Sequence, residues 1–133
     1  MNLSNISSSQ FTYDLLGKGL DATSKREKVI SNNMANINTA NYKRYYVNFE
    51  DNLKNSMDNL EMETTDPKHI NDGTGFGDIS VKRDTSSSVR EDGNNVDIDT
   101  ESSNEAQNTL EYYTLINQIS NRISMESNVI NSK

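Results

Sequence analysis

Apolar residues recur at helical spacing near both ends of this chain, and a polar stretch separates the two ends. Spacings of three and four residues connect Leu16 to Ile37 and, further along, Tyr112 to Ile130. Such a repeat is typical of a helix that buries one stripe of its surface. The pattern therefore predicts two long terminal helices that lie side by side.

Capping residues predict where these two helices begin and end. Ser7 and Gln10 have the spacing of a capping box, and the first helix is expected to end near Asn36, where asparagines accumulate. Asp99 is the expected cap of the second helix, which continues to about Asn131. Both predicted helices are uninterrupted by proline.

The middle of the chain has weaker signals. Phe49, Leu53 and Met57 recur four residues apart and predict a short helix from Tyr46 to about Leu60. Glycine-rich turns then follow, and short strands around Ile79, Val81 and Val89 predict a β-hairpin at the serine run 86–88. The expected fold is mainly α, with segments 1–40, 41–60, 61–98 and 99–133.

A low apolar content affects how the helices are expected to pack. Apolar residues make up 32% of the chain, against about 45–50%, counting glycine, in ordinary globular proteins. The heptad-like spacing fits a coiled coil and an ordinary helical hairpin equally well. The scarcity of apolar residues favours burial of the stripes between subunits.

Charge and chemistry exclude several classes of function. A net charge of -7 argues against nucleic-acid binding. No stretch is apolar enough to span a membrane, and the N-terminus lacks the pattern of a cleavable secretory signal. The chain has no cysteine, and the lone His69 belongs to no catalytic pattern. We expect neither catalysis nor a cofactor or metal.

An asparagine-rich segment stands where the first helix is expected to end. It reads SNNMANINTANYKR from Ser31 to Arg44 and places four amides between Asn32 and Asn38. Amides donate and accept, so they suit local capping and bonding across a subunit contact. The segment resembles the SNNxANxNTPGYK motif of the bacterial flagellar axial proteins, the rod, hook and hook-associated family. It differs at Ala40 and Asn41, where the family has Pro-Gly, although asparagine also tolerates positive φ.

The short chain and two further runs, 65–70 and 90–101, resemble a proximal rod protein within that family. The resemblance implies a structural subunit of the flagellar basal body whose paired terminal helices stack into a helical tube. It also implies several partners: copies of the chain, other rod proteins, the adaptor protein of the membrane ring and the flagellar type III export apparatus. Three alternatives stay open, namely another proximal rod paralogue, a free-standing helical export adaptor or binding module, and a wall hydrolase.

Two sets of residues are expected to matter for this function. Facing apolar stripes are expected to form the assembly interface, with Leu16, Leu20, Ile30, Met34 and Ile37 on the first helix and Tyr112, Ile116, Ile119, Ile123 and Ile130 on the second. Polar side chains of the motif are expected to form hydrogen bonds within the loop or between subunits; these are Asn32, Asn33, Asn36, Asn38 and Tyr42.

Overall fold

The computed structural model describes residues 8–55, 77–87 and 90–131. Two long helices, α1 (Ser8–Ala35) and α3 (Ile98–Asn131), pack against each other. Between them lie strand β1 (Tyr45–Asn48), the short helix α2, described at residues 50–55, and strand β2 (Ser80–Arg83). The predicted fold class, mainly α with paired terminal helices, is confirmed.

Helix α1 ends one residue before the predicted position. The backbone N–H of Asn36 donates to the carbonyl oxygens of Asn32 and Asn33, each at 3.1 Å. This shared bond marks a tightened last turn of α1. The chain then turns, and Asn41 adopts a left-handed φ of 60°. Asparagine tolerates this conformation better than most residues other than glycine. The predicted cap Ser7 lies outside the described residues.

Asp97 caps helix α3, so the prediction of Asp99 is wrong. The Asp97 carboxylate accepts hydrogen bonds from the Asp99 amide at 3.2 Å and from the Thr100 hydroxyl at 2.6 Å. Its own carbonyl oxygen accepts the first helical bond, from Glu101 at 2.9 Å. The helix begins at Ile98 because Asp97 satisfies the free amide of its first turn.

This cap should make the stability of α3 depend on pH. The Thr100 hydroxyl and the Asp99 amide lower the pKa of the Asp97 carboxyl from its ordinary value of 3.8. The stabilisation is therefore present above pH 3.8 and is lost as the pH falls through the lower, folded-state pKa. Asp97→Asn caps without titrating, so thermal melts of this variant should lose that part of the acid dependence. An unchanged acid dependence would contradict the assignment.

The two strands pair antiparallel, with Tyr46 opposite Lys82 and Val47 opposite Val81. One prediction is corrected here, because β1 occupies the positions where the short helix was expected to start. The predicted strand around Val81 is found as β2, which pairs with β1, and the second predicted strand, around Val89, lies outside the described residues. The Asn52 side chain explains the first turn of α2, since its amide donates to the carbonyl oxygens of Asn48 at 3.1 Å and of Asp78 at 2.6 Å.

A small apolar core lies between α1, β1 and α2. Ala22, Val47 and Phe49 are buried at its centre. Val29, Leu53 and Ile79 pack around them. The sheet therefore covers one side of α1, and α3 covers another.

The apolar stripe of α3 lies beside the contact with α1. Leu115 meets Gly19 of α1, and the Arg122 guanidinium lies over the Tyr13 ring. Ile116 and Ile123 each follow one of these contact positions, and one residue step turns the side chain by about 100° around a helix. The structure therefore differs from the expected facing of the two stripes.

Several predicted features fall outside the described residues, among them Met57, Leu60, His69 and Val89. Within the described ranges, neither long helix combines the length and apolar content needed to cross a membrane. Over the same residues, no group of acidic and histidine side chains is arranged to hold a metal ion.

Candidate functional site

The Asn33 side chain fixes strand β1 to the end of α1. It is fully buried, and its amide nitrogen donates to the Tyr45 carbonyl oxygen at 2.8 Å. Its amide oxygen accepts from the Tyr45 backbone N–H at 3.0 Å. These are the two bonds that a residue of a neighbouring strand would make with Tyr45. One side chain thus takes the place of a strand partner and sets the position of β1.

Asn33 also reaches the first turn of α3. Its amide nitrogen donates to Glu101 Oε2 at 3.0 Å, and Glu101 is fully buried. The second oxygen of that carboxylate accepts a charge-assisted bond from Arg44 Nε. The buried charge is therefore paired and hydrogen-bonded, as burial of an ion requires.

Tyr42 completes this arrangement by donating its hydroxyl proton to Asn33 Oδ1 at 3.3 Å. Burial raises the pKa of the Tyr42 hydroxyl, and the nearby Tyr45 and Glu101 raise it further. The hydroxyl therefore stays a proton donor at neutral pH. We call this set the Asn33 network; it consists of Asn33, Tyr42, Arg44, Tyr45 and Glu101 and connects α1, β1 and α3.

Asn94 binds the loop after α1 from a distant part of the chain. Its amide nitrogen lies 3.0 Å from each of three carbonyl oxygens, those of Asn36, Ile37 and Thr39. The amide oxygen accepts from the Val96 N–H at 2.8 Å, which fixes the orientation of the side chain. Asn94, which is fully buried, therefore holds the loop that follows α1.

Two residues with a left-handed backbone conformation lie where the loop after α1 meets the loop before α3. Asn41 has φ 60° and Gly93 has φ 77°. The backbone N–H of Asn41 donates to the Asp92 carbonyl oxygen at 2.8 Å. A Cβ atom at Gly93 would lie 2.7 Å from Asn41 Oδ1. The positive φ at 93 therefore favours glycine, and any side chain there would also displace the Asn41 amide.

Gly93→Ala should accordingly destabilise the chain by about 1–3 kcal/mol, because alanine is strained at a positive φ. Gly17 provides the matched control, since it lies within α1 and a Cβ there would meet nothing within 4 Å. Gly17→Ala should stabilise the chain by about 0.5–1 kcal/mol. Chemical denaturation of both variants measures the difference. Equal effects of the two substitutions would contradict the packing at Gly93.

The other motif asparagines differ in their surroundings. The Asn36 side-chain nitrogen donates to the Asn32 carbonyl oxygen at 2.8 Å, and its side-chain oxygen accepts from the Thr39 hydroxyl at 3.2 Å. The side chains of Asn32 and Asn38 are exposed. Bonding of Asn32 and Asn38 to another subunit stays a prediction. Sequence reasoning missed Arg44, Glu101 and Asn94 as partners of the motif.

The expected interface residues divide between the helix contact and the surface. Ile30 is buried, and Leu16, Leu20, Met34, Ile37 and Ile119 are half-buried. The remaining four are exposed along α3, and we call them the α3 ribbon: Tyr112 at 41%, Ile116 at 39%, Ile123 at 54% and Ile130 at 81%. A row of large apolar side chains left in solvent is typical of a surface that binds another protein.

Comparison with known proteins identifies the family. Residues 15–43, which include Asn33 and Tyr42, match a family model described as flagella basal body rod protein. The flagellar basal body rod protein FlgB of Bacillus subtilis (strain 168) is 32% identical over 119 residues, covering 90% of this chain and 92% of the relative. The chain belongs to the FlgB family.

Other relatives agree with this assignment. FlgB of Borrelia hermsii is 36% identical over 117 residues, covering 81% of this chain and 87% of that protein. FlgG of Buchnera aphidicola subsp. Acyrthosiphon pisum (strain APS), also a basal-body rod protein, is 38% identical over 69 residues, covering 26% of that protein. Membership of the FlgB family confirms a structural subunit of the bacterial flagellar basal body rod. The hydrolase and free-standing adaptor interpretations have no support.

Proposed function

We propose that this rod subunit occupies the proximal rod and polymerises by covering its α3 ribbon with neighbouring copies and adjacent rod proteins. The observation that carries the proposal is the exposure of four large apolar side chains on one side of α3. An apolar surface gains about 25 cal/mol for each square ångström removed from water. Association with a neighbour therefore supplies the burial that the single chain lacks.

The shape of the surface next to the ribbon supports a neighbouring helix as the occupant. A groove of about 280 Å³ opens between α1 and α3, lined by Thr23, Glu27, Tyr112 and Tyr113 among others. The ribbon continues from this groove towards the end of α3. A helix that places side chains at three- and four-residue spacing fits such a surface. A contact between different surfaces of two copies continues into an open helical filament.

The finer partners follow from the family. We propose that the assembled subunit adjoins the adaptor protein of the membrane ring on one side and the next rod protein on the other. We further propose that it reaches this position through the flagellar type III export apparatus. Family membership and the uncovered ribbon support these proposals.

Photo-crosslinking in cells tests this function. A photoreactive amino acid replaces Ile116 in a flagellated bacterium whose own copy of the subunit has been deleted. We expect adducts with copies of the chain and with other rod proteins in purified basal bodies. The same variant in a strain that cannot build the export apparatus is the control and should yield none of these adducts. Identical adducts in both strains, or none in basal bodies, would contradict the proposal.

A further inference from the structure

Three polar side chains of α3 meet α1 where a helix pair usually buries apolar ones. Positions 101, 108, 115 and 122 are seven residues apart and lie along the contact with α1. They hold Glu101, Asn108, Leu115 and Arg122. Asn108 is only 3% exposed, and Glu101 is fully buried. Burial of polar groups at such positions is costly unless each finds a specific partner.

Each polar residue contacts a different residue of α1, while two of their atoms, Asn108 Oδ1 and Arg122 Nε, are buried without a hydrogen-bond partner among the described residues. Glu101 accepts from Asn33 at 3.0 Å. Asn108 donates to the Thr23 carbonyl oxygen at 3.0 Å and to Glu27 Oε2 at 3.2 Å. The guanidinium carbon of Arg122 lies 5.2 Å from the centre of the Tyr13 ring, a cation–π distance.

The apolar position of the series is equally specific. Leu115 packs against Gly19, where a Cβ atom would lie 3.3 Å from Leu115 Cδ1. The missing side chain of Gly19 makes room for the leucine. The four contacts together give α1 and α3 a sequence of distinct partners along their length.

A shift of α3 by one heptad would break all four contacts. It would place Asn108 opposite Gly19 in one direction and Arg122 opposite Gly19 in the other. Glu101 would leave Asn33 in either case. Polar groups would then lie buried with no matching partner, which costs about 1–3 kcal/mol for each neutral group and more for a charge.

We propose that Glu101, Asn108 and Arg122 determine the register of the helix pair. They hold α3 in one position along α1 and exclude shifted pairing of these two faces. A single buried polar residue sets register and partner in coiled coils in the same way. The α3 ribbon then remains free for neighbouring subunits. Only the statement that neighbouring subunits use the α3 ribbon rests on the proposed function.

The test measures register and folding separately, because replacing Glu101 also leaves Asn33 and Arg44 without a partner. Glu101→Met with Asn108→Leu removes two of the polar contacts. Ser102→Met with Thr109→Leu is the matched control, made one residue away at exposed positions. The chain contains no cysteine. Cysteines in place of the exposed Ser24 and Ala106 therefore carry spin labels without further changes.

Pulsed electron resonance on the full-length chain gives the distance between the two labels. We expect one distance for the parent chain and for the control. The apolar variant should show a second distance, because a one-heptad shift moves α3 by roughly 10 Å along its axis.

Arg122→Leu, at the far end of the contact, is a second variant. It should also broaden the distribution of distances between the two labels. A single, unchanged distance in both variants would overturn the proposal, as would several distances in the parent chain. Loss of helical circular dichroism in the variants would also overturn it, since the polar residues would then be needed for folding itself. The measurement uses isolated chains, so its result does not depend on rod assembly.

Discussion

Replacing Asn33 with aspartate should destabilise the isolated chain by about 3 kcal/mol or more. The substitution changes shape very little but removes the amide donor that Tyr45 and Glu101 share. It also places a second carboxylate 3.0 Å from the buried Glu101 carboxylate, at the distance that the amide nitrogen now occupies. Two like charges at that separation cannot both remain ionised without a large cost.

Neighbouring positions provide the controls for this result. Asn32→Asp introduces the same charge one residue earlier, at an exposed site, and should change the free energy of unfolding by less than about 0.5 kcal/mol. Adding Glu101→Gln to Asn33→Asp removes one of the two charges and should recover part of the loss. Urea denaturation of the single and double variants measures these differences. Equal stability of the Asn33 and Asn32 variants would show that the network does not hold the helices and strand together.

Replacing Ile123 with aspartate should abolish rod assembly while leaving the fold of the subunit intact. Ile123 is 54% exposed in the single chain, so a charge there is solvated and should change stability by less than about 1 kcal/mol. In an assembled rod the same carboxylate would be buried against a neighbour, which costs several kcal/mol when no partner is present.

Motility and basal-body preparations measure this effect. Cells that carry the Ile123 variant in place of the parent gene should be non-motile and should lack complete rods, while the purified variant should melt like the parent chain. Ser124→Asp is the control, because its side chain is exposed one residue further round α3. It should keep motility. If cells with the Ile123 variant swim and contain complete rods, the α3 ribbon is not part of the assembly surface.

The sequence pattern predicted the long elements well, because their signals are repeated many times. The stripes on α1 and α3 persist over several turns, so both helices end within one residue of the predicted C-terminal positions. The predicted cap of α3 lies two residues beyond the observed one, because Asp97 and Asp99 are both good caps. Only the observed bonds to the Asp97 carboxylate decide between them.

The spacing of apolar residues could not predict contacts between distant segments of the chain. β1 covers only four residues, and the spacing of Phe49 and Leu53 extended the predicted helix into it. Its pairing with β2 joins positions more than thirty residues apart, which no local spacing encodes. The amides of the motif were expected to form hydrogen bonds, yet the role of Asn33 depends on Tyr45 and Glu101, which only the folded chain brings to it.

The rotation of the α3 stripe away from α1 is the most informative difference. Periodicity shows that Tyr112, Ile116, Ile123 and Ile130 share one side of the helix. It does not show which side meets α1. Polar residues with specific partners, such as Glu101 and Asn108, occupy that contact. Much of the apolar stripe of α3 is therefore exposed in the single chain.

Cysteine labelling at position 123 tests this claim most directly. The chain has no cysteine of its own, so Ile123→Cys provides a single reactive group. A maleimide reagent should label it fully in the free subunit. In intact basal bodies the label should be excluded, and dissociating the rods should restore it. Equal labelling of the free subunit and of intact rods would contradict an α3 ribbon that is covered on assembly.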